Sequence, residues 1–304
     1  MHQNNGQIPV DGGHHGSGHR QGQHHQQQNK QQRTGRRLLV LRHGERIDFT
    51  FNQDQQSWVH KAFDANGKYS RFNINMPRSV PARKDGPAGF LLDTPLTEMG
   101  YLQAKITGRA LRDAGVKVSH IYCSSALRCV QTTVGILKGM NNCSQLINVE
   151  PGLFEWGAWC RPKRPKWMDM DEFQRLGYPI NLHYQPVVSP EMITPSEKLG
   201  EYYNRSFDVV KRILANHKQV DDGVILLVAH GASLETCTRQ LTGQQPRETP
   251  EFFSILHRTP YLACAQAVEE AGSSKWAVAE SPILPFQHQQ NAAYDWRLLI
   301  TEIQ

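Results

Sequence analysis

Residues 37–46 read Arg37-Leu38-Leu39-Val40-Leu41-Arg42-His43-Gly44-Glu45-Arg46. Four consecutive apolar residues between arginines are too few for an ordinary helix and too continuous for a strand with one wet face. They predict a strand buried on both sides, as in parallel sheets. The signature recurs at Val118–Cys123. It is clearest at Val224–Ala229, which runs into His230-Gly231-Ala232-Ser233. A short strand is expected near Ile147, and two late ones near 261–268 and 275–280. Stretches of helical period lie between them. One covers about 97–114, with Met99, Leu102, Ile106 and Ala110 on one face and Gly115 as its stop. Another follows Ser124 or Ser125 as N-cap and runs to about Lys138. A third spans about 196–217, with Tyr203, Phe207, Val210 and Leu214 on a stripe. Strands alternating with helices predict an α/β domain, a doubly wound, mainly parallel sheet flanked by helices. Such sheets bind ligands at the carboxyl ends of their strands.

Outward from this frame the composition is uneven. Residues 1–37 of the 304 contain three apolar residues, Met1, Ile8 and Val10. They hold six of the 14 histidines, and five Lys/Arg against one Asp, hence +4 of the +6 net charge. So polar a segment cannot bury enough surface to offset the entropy of ordering. Residues 1–36 are therefore expected to be a disordered His/Gln-rich tail, and 37–304 the folded domain. Nothing in the tail would fix a metal geometry around His14, His15, His19, His24 and His25. With the excess charge in the tail, no nucleic-acid surface is expected on the body. The apolar runs are too short for a membrane span, and the N-terminus has no apolar signal core. Six cysteines without CxxC pairs or regular spacing point to a reducing, cytoplasmic setting.

Two histidines stand at predicted strand ends, His43 and His230, each followed by glycine, which lets a ligand approach the backbone. If a helix opens after each, its free N–H groups favour an anion there. Arg42 and Arg46 are four apart and share a face if the segment is helical. Arg128 falls in the first turn of the helix after Ser124 and Ser125. Guanidinium groups grip phosphate oxygens bidentately. Taken singly, each residue reads as a turn histidine or a solvated arginine; taken together, at these strand ends, they predict a phosphoryl site that needs no metal and no cofactor. Residues 47–95 form a long polar-aromatic insert that should shape the substrate pocket, because a loop this long in a compact domain is usually functional. Phe49 and Phe51 from it, with Trp156, are the expected pocket wall, while about half of its aromatics should simply cover the sheet. Glu155, between Phe154 and Trp156, is compatible either with an acid of raised pKa or with a loop cap.

The Arg42-His43-Gly44-Glu45 run after a strand resembles the histidine phosphatase superfamily, which includes the phosphoglycerate mutases. So do Pro95-Leu96-Thr97-Glu98-Met99-Gly100, Ser124-Ser125-Ala126-Leu127-Arg128 with Gln131-Thr132, and Val228-Ala229-His230-Gly231. Residues 45–51 and Gly152-Leu153-Phe154-Glu155-Trp156 are similar to one branch of it. That branch holds the ecdysteroid-phosphate phosphatases and the suppressor of T-cell receptor signalling tyrosine phosphatases. The resemblance covers nearly all of residues 37–304. It implies that His43 is a nucleophile phosphorylated on nitrogen, that Arg42, Arg46, Arg128 and His230 hold the phosphate oxygens, and that Glu155 gives a proton to the leaving group. His230 is followed by Gly231 where other members of the superfamily carry His-Asp, so the acid must come from elsewhere. The signalling members carry ubiquitin-associated and SH3 domains upstream; the His/Gln tail here shifts the expectation towards hormone-phosphate enzymes.

The resulting expectation is a metal-independent phosphomonoesterase acting on bulky esters. Ecdysteroid phosphates come first and protein phosphotyrosine second, with no nucleic acid or membrane partner and a homodimer left open. The rivals are a dedicated signalling phosphotyrosine phosphatase, a phosphoglycerate-type mutase, and a catalytically weak scaffold that keeps the fold.

Overall fold

The computed structural model describes residues 35–51, 57–217, 223–271, 273–284 and 295–301. The chain divides into two units, residues 1–32 and 33–304, and every described residue belongs to the second. The expected tail therefore lies outside the described residues, apart from its last two. Of these, Arg36 is part of the body: its guanidinium binds both carboxylate oxygens of Glu269 at 2.6 Å.

The strands are β1 (Arg37–Arg42), β2 (Val118–Cys123), β3 (Ile147–Val149), β4 (Val224–Ala229), β5 (Cys264–Glu269) and β6 (Trp276–Ala279). The helices are α1 (Ile47–Phe51), α2 (Trp58–Ala62), α3 (Glu98–Asp113), α4 (Leu127–Met140), α5 (Met170–Arg175), α6 (Leu199–Asn216), α7 (Ser233–Thr236) and α8 (Thr249–His257). One sheet has the order β3-β2-β4-β1-β5-β6. β3, β2, β4 and β1 run parallel; β5 is antiparallel to β1, and β6 to β5. The mainly parallel α/β sheet read from the apolar runs is thus observed. All of β4 and Leu38, Leu39, Val40 and Leu41 of β1 are buried, because helices cover both faces. Among the described residues no helix is long and apolar enough to cross a membrane.

Three local expectations are corrected. The apolar stripe of α3 faces outward, with Met99, Leu102 and Ile106 each exposed. Its buried face carries Gly100, Gln103, Ala104, Thr107, Gly108 and Leu111, small residues for the most part. Close approach decides this: a Cβ on Gly108 would lie 2.1 Å from the Ile136 carbonyl of α4, and one on Gly139 2.0 Å from that of Lys105. Backbone-to-backbone packing outweighs the simple apolar pattern. Next, neither Ser124 nor Ser125 caps α4. Its N-cap is Ala126, without a side-chain cap, and the Leu127 N–H donates instead to the buried Asp93 carboxylate at 2.8 Å. Finally, no helix opens at His43. The chain continues extended through a bridge between Arg46 and Leu96 before the five-residue α1.

The insert folds as a cover. Trp58, Phe63, Tyr69 and Phe90 pack ring against ring at 5.4–6.1 Å, and Trp58 and Phe90 are buried in the main core.

Candidate active site

Register brings the site together. In the parallel β1–β4 pair Arg42 lies opposite Ala229, so His43 and His230 leave the sheet at one level. The His43 N–H donates to the Ala229 carbonyl at 2.9 Å, and the two imidazoles stand edge-on with centroids 5.4 Å apart. β2 ends at that level too, since Cys123 pairs with Val228. This sets Ser124 and the first turn of α4, with Arg128, beside His230. The turn after β3 then delivers Glu155. Its carboxylate meets Arg128 Nη2 at 2.5 Å and lies 3.7 Å from His230 Nδ1.

Hydrogen bonds assign the imidazole protons. His43 Nδ1 is 2.8 Å from the Gly44 carbonyl, which can only accept, so Nδ1 carries the hydrogen and Nε2 keeps a lone pair. His230 Nδ1 faces Arg128 Nη2 at 3.2 Å. Arginine can only donate, so this nitrogen accepts, and Nε2 donates to Ser124 Oγ at 2.9 Å. Both imidazoles are held neutral. Burial, then the facing Arg128 guanidinium, pushes each well below the usual histidine value. The Cys129 thiol lies 3.7 Å from His230 Nε2, but burial pushes it up to about 12, so it is no thiolate nucleophile near neutral pH.

The guanidiniums are held but not satisfied. Arg128 is 0% exposed. Among the described residues its Nε and Nη1, and Arg42 Nε, are buried without a partner. A buried N–H left unpaired costs about 1–3 kcal/mol, and an anion in the cavity removes that cost. Arg42 is steered by the Thr259 carbonyl and lies over the Tyr261 ring, 4.5 Å from its centroid. Arg46 gives Nε and Nη2 to Asp48 at 2.6 and 2.7 Å and lines the cavity. It reaches the site without sharing a helical face with Arg42.

Of these groups Arg42, His43, Arg46 and Glu155, with Gly231, floor a cavity of about 450 Å³ whose walls are Phe49, Trp159, Leu256 and His257; Arg128 and His230 do not line it but adjoin the Glu155 carboxylate and the His43 ring. Of the expected wall residues, Phe49 is there, its ring 4.3 Å from the Arg46 guanidinium. Phe51 is not: it packs edge-on against Phe72 at 5.6 Å. Trp156 is not either, because its ring packs on Phe252 and its Nε1 donates to the Glu197 carbonyl at 2.8 Å. The two aromatic neighbours of Glu155 do not enclose its carboxylate. Phe154 turns inward between Trp167 and His230, Trp156 turns away, and the carboxylate finds a guanidinium. Sequence reasoning missed Trp159, Leu256, His257 and Tyr261. Most of the wall comes from segments with no motif, and only the fold lays them against the floor.

A family profile described as the histidine phosphatase superfamily (branch 1) matches residues 80–260. The chain belongs to that superfamily. It is 39% identical over 267 residues to ecdysteroid-phosphate phosphatase of Drosophila melanogaster, covering 87% of this chain and 34% of the relative. It is 39% identical over 262 residues to ubiquitin-associated and SH3 domain-containing protein B of Mus musculus, covering 86% and 40%. The chain thus spans roughly a third to two-fifths of the length of these curated relatives. Among solved structures it is similar to the ecdysone phosphate phosphatase of Bombyx mori in complex with tungstate. That match has a TM-score of 0.72 and 31% identity, and covers 87% of this chain and 99% of that one.

Proposed function

We propose that this chain hydrolyses phosphomonoesters through a phosphohistidine, without a metal. One observation carries the reading: Arg42, with a buried unpaired Nε, the neutral His43 imidazole, Arg46 and Glu155 line one cavity, and Arg128 meets the Glu155 carboxylate at 2.5 Å. In the proposed reaction the His43 Nε2 lone pair attacks phosphorus. The N–P bond forms as the bond to the ester oxygen breaks, and Glu155 passes a proton to that oxygen, releasing the alcohol. Glu155 then takes a proton from water as its oxygen attacks phosphorus, the N–P pair returns to His43, and phosphate leaves. Arg42, Arg46 and Arg128 bear the charge on the transferring group. His230 is proposed to hold a phosphoryl oxygen beside them. The similar Bombyx mori phosphatase forms a complex with tungstate, an oxyanion, which supports this picture.

The walls favour a bulky leaving group. Phe49, Trp159 and Leu256 make the wall mainly apolar, with His257 its one ionisable side chain. We therefore propose ecdysteroid phosphates as substrates, phosphotyrosine in proteins as the second activity, and the cytoplasm as the setting. The name of the Drosophila melanogaster relative, ecdysteroid-phosphate phosphatase, supports the first of these. A competition on the purified protein tests this. kcat/KM should rank steroid phosphate above phosphotyrosine peptide, and both far above phosphoglycerate. A clear win for the peptide would make it a signalling phosphatase, and a win for phosphoglycerate would refute the apolar wall.

A further inference from the structure

Glu155 sits on an irregular loop, yet its proton must be delivered to one atom. The loop is tied at both ends by buried charges that do not touch the cavity. On one side the wholly buried Glu150 carboxylate accepts from the N–H groups of Gly152, Val187 and Val188 and from the Tyr184 hydroxyl, at 2.6–3.1 Å. On the other, Arg205 of α6 donates from Nη1 to the carbonyls of Gly152 at 2.7 Å and Phe154 at 2.9 Å, and from Nη2 to that of Glu155 itself at 3.2 Å. Arg205 is in turn locked bidentately by Glu197, Nε at 2.7 Å and Nη2 at 2.9 Å. The same Glu197 carboxylate accepts the Gly157 N–H at 2.8 Å. Both partners are 8% exposed.

We infer that the Arg205–Glu197 pair is the positioning device for the proton donor: one guanidinium gathers the carbonyls of residues 152, 154 and 155, and its carboxylate partner holds residue 157, so the Glu155 carboxylate is presented to the ester oxygen from a fixed backbone. This rests on the reading of Glu155 as donor. A planar fork with five donors can serve three carbonyls and a carboxylate at once, whereas an ammonium cannot. The glycines let the clamp close. A Cβ on Gly157 would fall 2.2 Å from the Thr194 carbonyl, and one on Gly152 2.5 Å from Val209. Neither Arg205 nor Glu197 lines the cavity, so they position and do not react.

The test uses the full chain and two substrates, 2,4-dinitrophenyl phosphate, whose leaving group needs no proton, and phenyl phosphate, whose leaving group does. The readout is the ratio of their kcat/KM values, in which any loss of folded enzyme cancels. Glu155→Gln should lower phenyl phosphate about 100-fold relative to dinitrophenyl phosphate. Arg205→Lys and Glu197→Gln should each cause the same selective loss of about tenfold or more, since an ångström of misplacement is enough for such losses. In the Glu155→Gln background Arg205→Lys should add no further selectivity, because the clamp acts only through that carboxylate. A selective Glu155→Gln beside unselective Arg205 and Glu197 variants overturns the positioning role alone. An unselective Glu155→Gln overturns the donor reading, and the positioning role falls with it.

Discussion

The floor of the cavity and its rim are built differently. His43 and Arg46 of the floor, and Arg128 and His230 beside it, are buried, while Phe49 and Trp159 of the rim are 65% and 39% exposed. Arg42, His43 and Gly231 of the floor sit at the ends of the parallel β1 and β4, where backbone register fixes them, while Arg46 and Glu155 reach it from the bridge and the loop that follow β1 and β3. Rim residues come from the short α1, a 3-10 turn at Gly157–Cys160 and the end of α8. With Arg128 and His230 the floor holds unpaired buried donors and two imidazoles deprived of their usual protonation. It is a region where stability is given up for anion binding, as functional sites commonly require. The rim carries no such cost and can change without disturbing the sheet. The comparison teaches that the chemistry and the choice of leaving group are separable here.

The sharpest way to break it is at the nucleophile. His43→Ala should lower turnover by at least about 10⁴-fold, and acid-quenched wild type should yield an acid-labile phosphoryl group that the variant lacks. Chelators should leave wild-type turnover unchanged. Arg128→Lys comes next. One ammonium cannot replace the fork, and kcat/KM should fall about 10²–10³-fold on every substrate alike, measured across aryl and steroid phosphates. Discrimination between substrates by this variant would mean that floor and rim are coupled.

The floor should also show itself in stability. His43 and His230 have depressed pKa values in the fold, so above pH 6.5 neither state binds their protons and their contribution is complete. As pH falls below 6.5 the unfolded chain gains two protons that the fold refuses. Stability should drop by about 2 kcal/mol between pH 7 and 5.5 from this pair. Urea titrations of wild type and of His43→Ala, which should lose about half of that slope, check it. Orthovanadate, filling the unpaired donors, should raise Tm.

The smallest expected effect separates the rim from mere packing. Phe49→Ala should cost roughly 5–10-fold in kcat/KM for steroid phosphate, from about 50 Å² of apolar contact at ~25 cal/mol per Å², and spare small aryl phosphates and Tm. Phe51→Ala, two residues on but packed against Phe72, should lower Tm and leave that preference untouched. Reversed outcomes would put Phe51 rather than Phe49 at the substrate.

Much of this molecule was legible before any coordinates. Continuous apolar runs fix buried strands because a parallel sheet covered on both faces leaves no polar side. The motifs after those runs, at His43, Arg128 and His230, mark the carboxyl ends of the strands as the site, and the strand order observed in the fold brings them together. Tertiary structure decided what depends on contacts between distant segments. It turned the small face of α3 inward, because glycines let two backbones meet where larger apolar side chains could not. It set Glu155 against the Arg128 guanidinium rather than its flanking aromatics, because a neighbour in sequence need not be a neighbour in space. It also assembled the rim from Trp159, Leu256 and His257, and placed Arg205 and Glu197 behind the loop. No local period or motif encodes a hydrogen bond between a helix and a loop some 50 residues away; only the packed fold does.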